Sequence, residues 1–131
     1  MIAQHTMNEK ELTKENELLI TEADFDRLRH LVESPRYRAT HPMLIAAIKD
    51  ELGRCRVVEP GGVPKGVVTM HSKVSVRDLK SRESETYTLV FPDDADIDEG
   101  KLSVLAPLGT ALLGRRVGQA VEFVVAFDVL R

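Results

Sequence analysis

The sequence contains no tryptophan, and only two tyrosines and four phenylalanines among 131 residues. Its core is therefore expected to be aliphatic, drawn from a composition that is 43% hydrophobic and 30% charged, an ordinary balance for a globular chain. Cys55 stands alone as a cysteine. One thiol excludes an intrachain disulfide and a cysteine-rich zinc site. It fits a reducing compartment, with Cys55 serving as a small buried hydrophobe. No apolar run approaches the roughly 20 residues of a membrane-spanning helix, and residues 1–17 are too polar for a secretory signal. The expected location is cytoplasmic, with no membrane partner. An excess of positive charge is missing too. The net charge is −3 and the isoelectric point about 5.8, which speaks against sequence-specific nucleic-acid binding.

Catalytic and metal motifs are also lacking. His5, His30, His41 and His71 are dispersed, without HExxH or Cys/His spacing. No nucleophile elbow, phosphate-binding loop or dinucleotide fingerprint occurs. The acids Asp93, Asp94, Asp96, Asp98 and Glu99 superficially suggest a calcium site but lack the EF-hand arrangement of glycine and glutamate. They read as a solvated or partner-facing segment. The chain is expected to be no enzyme, with no catalytic residue, cofactor or metal.

What is present has a clear order. Residues 1–16 are polar and are expected to form a flexible arm. Residues 17–21 suit a short extended lead. Thr21 and Asp24 then resemble a capping box, and Phe25, Leu28, Leu31 and Val32 recur at helical spacing. Ser34-Pro35 stops this first helix, placed at 22–33. Thr40 as N-cap and Pro42 in the first turn open a second helix to about Cys55. Its stripe is Leu44, Ile48, Leu52 and Cys55, with Ile45 beside it. Two such helices predict a short antiparallel hairpin over residues 17–58.

Residues 59–66, EPGGVPKG, mark a boundary. Beyond them the period becomes two. Strands are expected at 67–70, 73–79 and 85–91, the last pair as an antiparallel hairpin. After the acidic loop come a short strand at 102–105, a short helix at 107–113 closed by Gly114, and an apolar, β-rich run at 121–129. The class is α+β.

Residues 59–131 also carry a recognisable pattern: Val67-Val68-Thr69-Met70, then Thr88-Leu89-Val90-Phe91-Pro92, then S-V-x-x-P-L-G-x-A-L-L-G from Ser103 to Gly114. It resembles the C-terminal domain of the GreA/GreB transcription elongation factors, in particular the Rnk branch, the regulators of nucleoside diphosphate kinase. Leu19-Ile20-Thr21 and the short hairpin extend the likeness upstream, to about residues 17–125. The resemblance implies an FKBP-like, bent antiparallel sheet around one short helix, with a coiled-coil-like hairpin before it. It implies docking of the core enzyme of RNA polymerase at the rim of its secondary channel. In Gre factors, acids at the hairpin tip help hold a magnesium ion for transcript cleavage.

Here the tip, residues 34–40, holds Arg36, Tyr37 and Arg38 and no carboxylate. Magnesium wants hard oxygen ligands, so cleavage is not expected, while competition with Gre factors for the same polymerase surface is. The candidate docking residues are Ser103, Leu105, Ala106, Pro107, Leu108 and Gly109, with Asp96 and Asp98 beside them. For the leucines, burial in the core is the favoured alternative. Arg36, Tyr37 and Arg38 are candidates for contact at the channel mouth, against the alternative of a solvated loop. Other readings remain: regulation of nucleoside diphosphate kinase or nucleotide metabolism by another route, and a peptidyl-prolyl isomerase, for which six aromatics are too few. The final segment is shorter than in relatives, which leaves a sheet edge and self-association as a further expectation.

Overall fold

A computed structural model describes residues 17–119. The arm at 1–16 and the run at 121–129 lie outside these residues. The elements are β1 (Leu19–Thr21), α1 (Glu22–Glu33), α2 (Pro35–Thr40), α3 (Pro42–Leu52), β2 (Arg56–Val58), β3 (Lys73–Arg77), β4 (Ser84–Val90), β5 (Lys101–Ser103) and α4 (Pro107–Leu112). The mixed α+β class is as expected.

Helix α1 begins where its cap is written. The Thr21 hydroxyl accepts the Asp24 amide at 3.3 Å, satisfying one of the first-turn donors that a helix leaves orphaned. It buries Leu28, Leu31 and Val32. Thr21→Ala is expected to lower stability by about 1 kcal/mol, read from the midpoint of urea unfolding.

The chain between α1 and α3 is a six-residue helix rather than a loop, with Pro35 in its first turn, where the missing proline N–H costs nothing. This moves the cap of α3. Thr40 ends α2, its hydroxyl donating to the Arg36 carbonyl at 2.9 Å, so His41 is the N-cap. Helix α3 stops at Leu52, with Gly53 as C-cap. Its buried residues are Ile45, Ile48 and Glu51, so the inward face is turned from the expected stripe toward Glu51.

Two sheets follow. The expected lead, residues 17–21, supplies β1, which pairs in parallel with β2. Three residues, Arg56–Val58, are too few to show the alternation that predicts a strand. The second sheet has the order β3-β4-β5. The β3–β4 pair is antiparallel, with Lys73 opposite Thr88 and Arg77 opposite Ser84. The β4–β5 pair is parallel, Leu89 facing Leu102, so the sheet is mixed and not wholly antiparallel. The cause is the connection. Residues 91–100 make two 3₁₀ turns, at Pro92–Asp94 and Ile97–Glu99, and carry the chain back alongside β4 before β5 starts.

Residues 67–70 are not a strand. They form an abbreviated antiparallel ladder with the turn after α4: Val68 N–H donates to the Arg115 carbonyl (2.8 Å), Gly114 to Val68 (3.0 Å) and Val117 to Gly66 (2.8 Å). Gly114, at φ +85°, turns the chain away and limits this pairing to a bridge.

One cluster of buried side chains runs through the described residues. It joins Leu18 and Ile20, Leu28 of α1 and Ile48 of α3 to Leu89, Val104 and Leu113. Phe91 ties α1 to this core. Its ring is 2% exposed, and the Arg27 guanidinium lies 3.8 Å above it.

Candidate functional site

Six of the candidate residues lie where β5 turns into α4. The turn is built by Ser103. Its hydroxyl accepts the Leu105 amide at 2.9 Å, and its carbonyl accepts the Ala106 amide at 2.9 Å. Ala106 is extended and caps α4, with Pro107 in the first turn. The Thr110 hydroxyl then donates back to the Val104 carbonyl. The eight residues from Ser103 to Thr110 are thus tied to one another by three hydrogen bonds.

This geometry sorts the candidates. Leu105 and Gly109 are buried, while Ser103, Ala106, Pro107 and Leu108 are partly exposed. Leu105 belongs to the core. Gly109 is inside for a steric reason: a Cβ there would lie 2.1 Å from the Ser103 carbonyl oxygen. The helix can sit this close to the turn only because position 109 has no side chain.

Asp96 and Asp98 are exposed on the connection before β5. Asp96 and Lys101 exchange both backbone hydrogen bonds at 2.9 Å, so this loop is pinned to the first residue of β5. Ser103 is the last residue of the same strand. Three residues of strand span roughly 10 Å, which sets the acids and the Ser103–Leu108 turn at the two ends of β5. Ile97, between the acids, is 62% exposed.

Arg36, Tyr37 and Arg38 lie on α2. Arg36 and Arg38 are exposed and Tyr37 is half-buried, its ring 5.2 Å from the Arg36 guanidinium and 6.3 Å from that of His41. No carboxylate lies on α2; Glu33, just before it, faces Arg29 at 4.0 Å. Met43, at the start of α3, is 81% exposed. Among the described residues no group of three His, Cys, Asp or Glu side chains is placed to hold a metal ion. Burial pushes the half-buried Cys55 thiol above its ordinary pKa, with a smaller push from the Glu17 charge.

Two features had no sequence signal. The first is Glu51, which is 8% exposed. Its Oε2 accepts from Arg54 and from Arg115, each at 2.9 Å. A buried carboxylate needs such partners, and Arg115 comes from the far side of the sequence. The second is a groove of about 810 Å³ beside β3. Among the described residues its lining includes Val68, Val74 and Val76 and no aromatic side chain.

Comparison with known proteins places these features. The family model described as transcription elongation factor GreA/GreB, C-terminal, matches residues 63–126. The regulator of nucleoside diphosphate kinase from Escherichia coli K12 is 37% identical over 106 residues, covering 81% of this chain and 76% of that protein. Transcription elongation factor GreA from Clostridium botulinum is 30% identical over 120 residues, covering 92% and 75%. A solved structure of a prokaryotic transcription elongation factor GreA/GreB from Nitrosomonas europaea superposes with a TM-score of 0.71 at 36% identity, covering 84% of this chain and 87% of that one.

Proposed function

Because the chain belongs to the GreA/GreB family of transcription elongation factors, in its Rnk-like branch, we propose that it is a cytoplasmic, non-enzymatic transcription regulator that docks on core RNA polymerase near the secondary channel. In this reading it competes with Gre factors there and leaves transcript cleavage unstimulated. Residues 59–131 supply the docking domain. Ser103, Ala106, Pro107 and Leu108 make the contact, Leu105 and Gly109 hold its shape, and Asp96 and Asp98 steer it toward a basic patch. The α2 tip reaches toward the channel.

The observation that carries the reading is the tip. Helices of 12 and 11 residues reach only about 18 Å. They end at Arg36 and Arg38 with no carboxylate to bind magnesium. The partner half of the reading rests on kinship and on the partly exposed turn at 103–108.

Co-purification with core polymerase tests it. Retention at micromolar concentration, lost on adding a Gre factor, is expected. Ser103→Ala with Pro107→Ala should weaken retention roughly tenfold, measured well below the melting temperature because loss of the hydroxyl that accepts the Leu105 amide also costs about 1 kcal/mol of stability. No retention of the parent chain would overturn the reading. Added protein should also leave the transcript cleavage rate at background. The name of the 37% identical relative favours a second reading, regulation of nucleoside diphosphate kinase. A change in that kinase's turnover on adding the purified chain, without polymerase, would select it.

A further inference from the structure

The helices and the residues after the 59–66 boundary meet through side chains of two kinds. Most are aliphatic: Leu28 and Ile48 lie in one cluster with Leu89, Val104 and Leu113. Burial of such groups is non-directional, and packed helices scatter in crossing angle by about 15–20°. The other contacts carry direction. At α1, Asp24 approaches a half-exposed His71 at 3.6 Å, and the Arg27 guanidinium lies over the Phe91 ring. Arg116 donates to the Glu17 carbonyl at 2.7 Å, which ties down the lead before β1. At the foot of α3 stands Glu51, whose Oε2 accepts from Arg115, 64 positions further along the chain.

This last pair is poorly made for stability. The Glu51 and Arg115 side chains are 11% and 25% exposed, so both charges have given up most of their water. Yet Glu51 Oε1 and Arg115 Nε have no hydrogen-bond partner among the described residues, and the fork that would engage both oxygens is not formed. The chain also crowds Oε1: a Cβ at Gly114 would lie 3.1 Å from it. Arg54 shares Oε2 at 2.9 Å, but Arg54 is half exposed and bonds Asp50 as well. A half-satisfied buried pair is generally no better for stability than aliphatic side chains of similar size. What it supplies, and they do not, is one direction of contact.

We propose that Glu51 is a positioning residue. Its bond to Arg115 sets the angle at which the hairpin leaves the rest of the fold, while the aliphatic cluster supplies the stability. Helix α3 has 11 residues. Over its length of roughly 16 Å, a tilt of about 10° at the foot displaces the far end by about 3 Å. The place of Arg36 and Arg38 is thereby governed from the opposite end of the helix. The docking reading gives this angle its purpose, but the angle is measured without polymerase, so either can fail alone.

Nitroxides on Ala39→Cys at the tip and Thr86→Cys on β4, both exposed in the parent chain, report the distance from hairpin to sheet by double electron–electron resonance in a Cys55→Ala background. Glu51→Leu with Arg115→Leu is expected to broaden the distance distribution by roughly twofold or more, with the urea midpoint unchanged or raised. Arg115→Lys, able to make the same single bond, should keep the parent width. A double variant as narrow as the parent would overturn the proposal, because the cluster alone then sets the angle. Broadening together with a fall in the midpoint would do so too, since the pair then holds the fold rather than its angle. So would a lysine variant as broad as the leucine one. Should the leucines not pack, Glu51→Met with Arg115→Met, flexible enough to fill the same space, is judged by the same two readings. Failure of both variants to fold counts equally against it.

Discussion

Gly109→Ala is expected to lower the stability of the chain by about 3 kcal/mol, enough to move the melting temperature by roughly 10 °C. Two effects oppose each other. Alanine is the better helix former, by about 1 kcal/mol over glycine, and position 109 lies inside α4. Against that, the new methyl carbon would sit 2.1 Å from the Ser103 carbonyl oxygen, 3.0 Å from its carbonyl carbon and 3.2 Å from the Leu89 side chain. A backbone carbonyl tied to the Ala106 amide has little room to yield. The clash should therefore win, and α4 should lift off the turn. Urea unfolding is the measurement, with the midpoint falling at unchanged slope. A midpoint that rises would mean that α4 does not approach Ser103 this closely.

Phe91→Ala should be costlier still, about 4 kcal/mol. The ring is almost wholly buried, touches Arg27 through its face and stands 5.8 Å from the His71 ring. His71 in turn approaches Asp24 of α1 at 3.6 Å. Removing the ring opens a cavity at the seam between α1 and the three-stranded sheet. The cation–π part can be separated. A double-mutant cycle of Arg27→Ala and Phe91→Leu should give a coupling of about 0.5–1 kcal/mol. Zero coupling would leave Arg27 as a bystander over an apolar ring.

The sequence revealed those elements whose signals are local. Helix α1 was legible because cap, stripe and stop all sit within its own residues, from Thr21 to Pro35. The β3–β4 pair was legible through its alternation. Helix α2 was not. Six residues hold too few turns to show a period, and so short a helix is stabilised by packing against its neighbours rather than by propensity. Strand β2 was hidden because its partner, β1, lies across the three helices. Residues 67–70 looked like a strand by their β-branched composition, yet their partner is a turn broken by Gly114. In the site, the run from Ser103 to Gly109 stood out as a motif. Its division into Ser103, Ala106, Pro107 and Leu108 at the surface and Leu105 and Gly109 inside is set by the fold of the turn. Glu51 was invisible for a similar reason: one of the cations that make its burial tolerable comes from the segment after α4.

The helical form of the tip has a geometric consequence. An α-helix turns by about 100° per residue, so Arg36 and Arg38, two apart on α2, leave the axis some 200° from each other. They cannot close on one phosphate or one carboxylate as a pair of pincers. Each addresses its own side, and the segment presents positive charge to left and right of a wedge. A cleft that received this tip would have to offer negative charge on both of its walls.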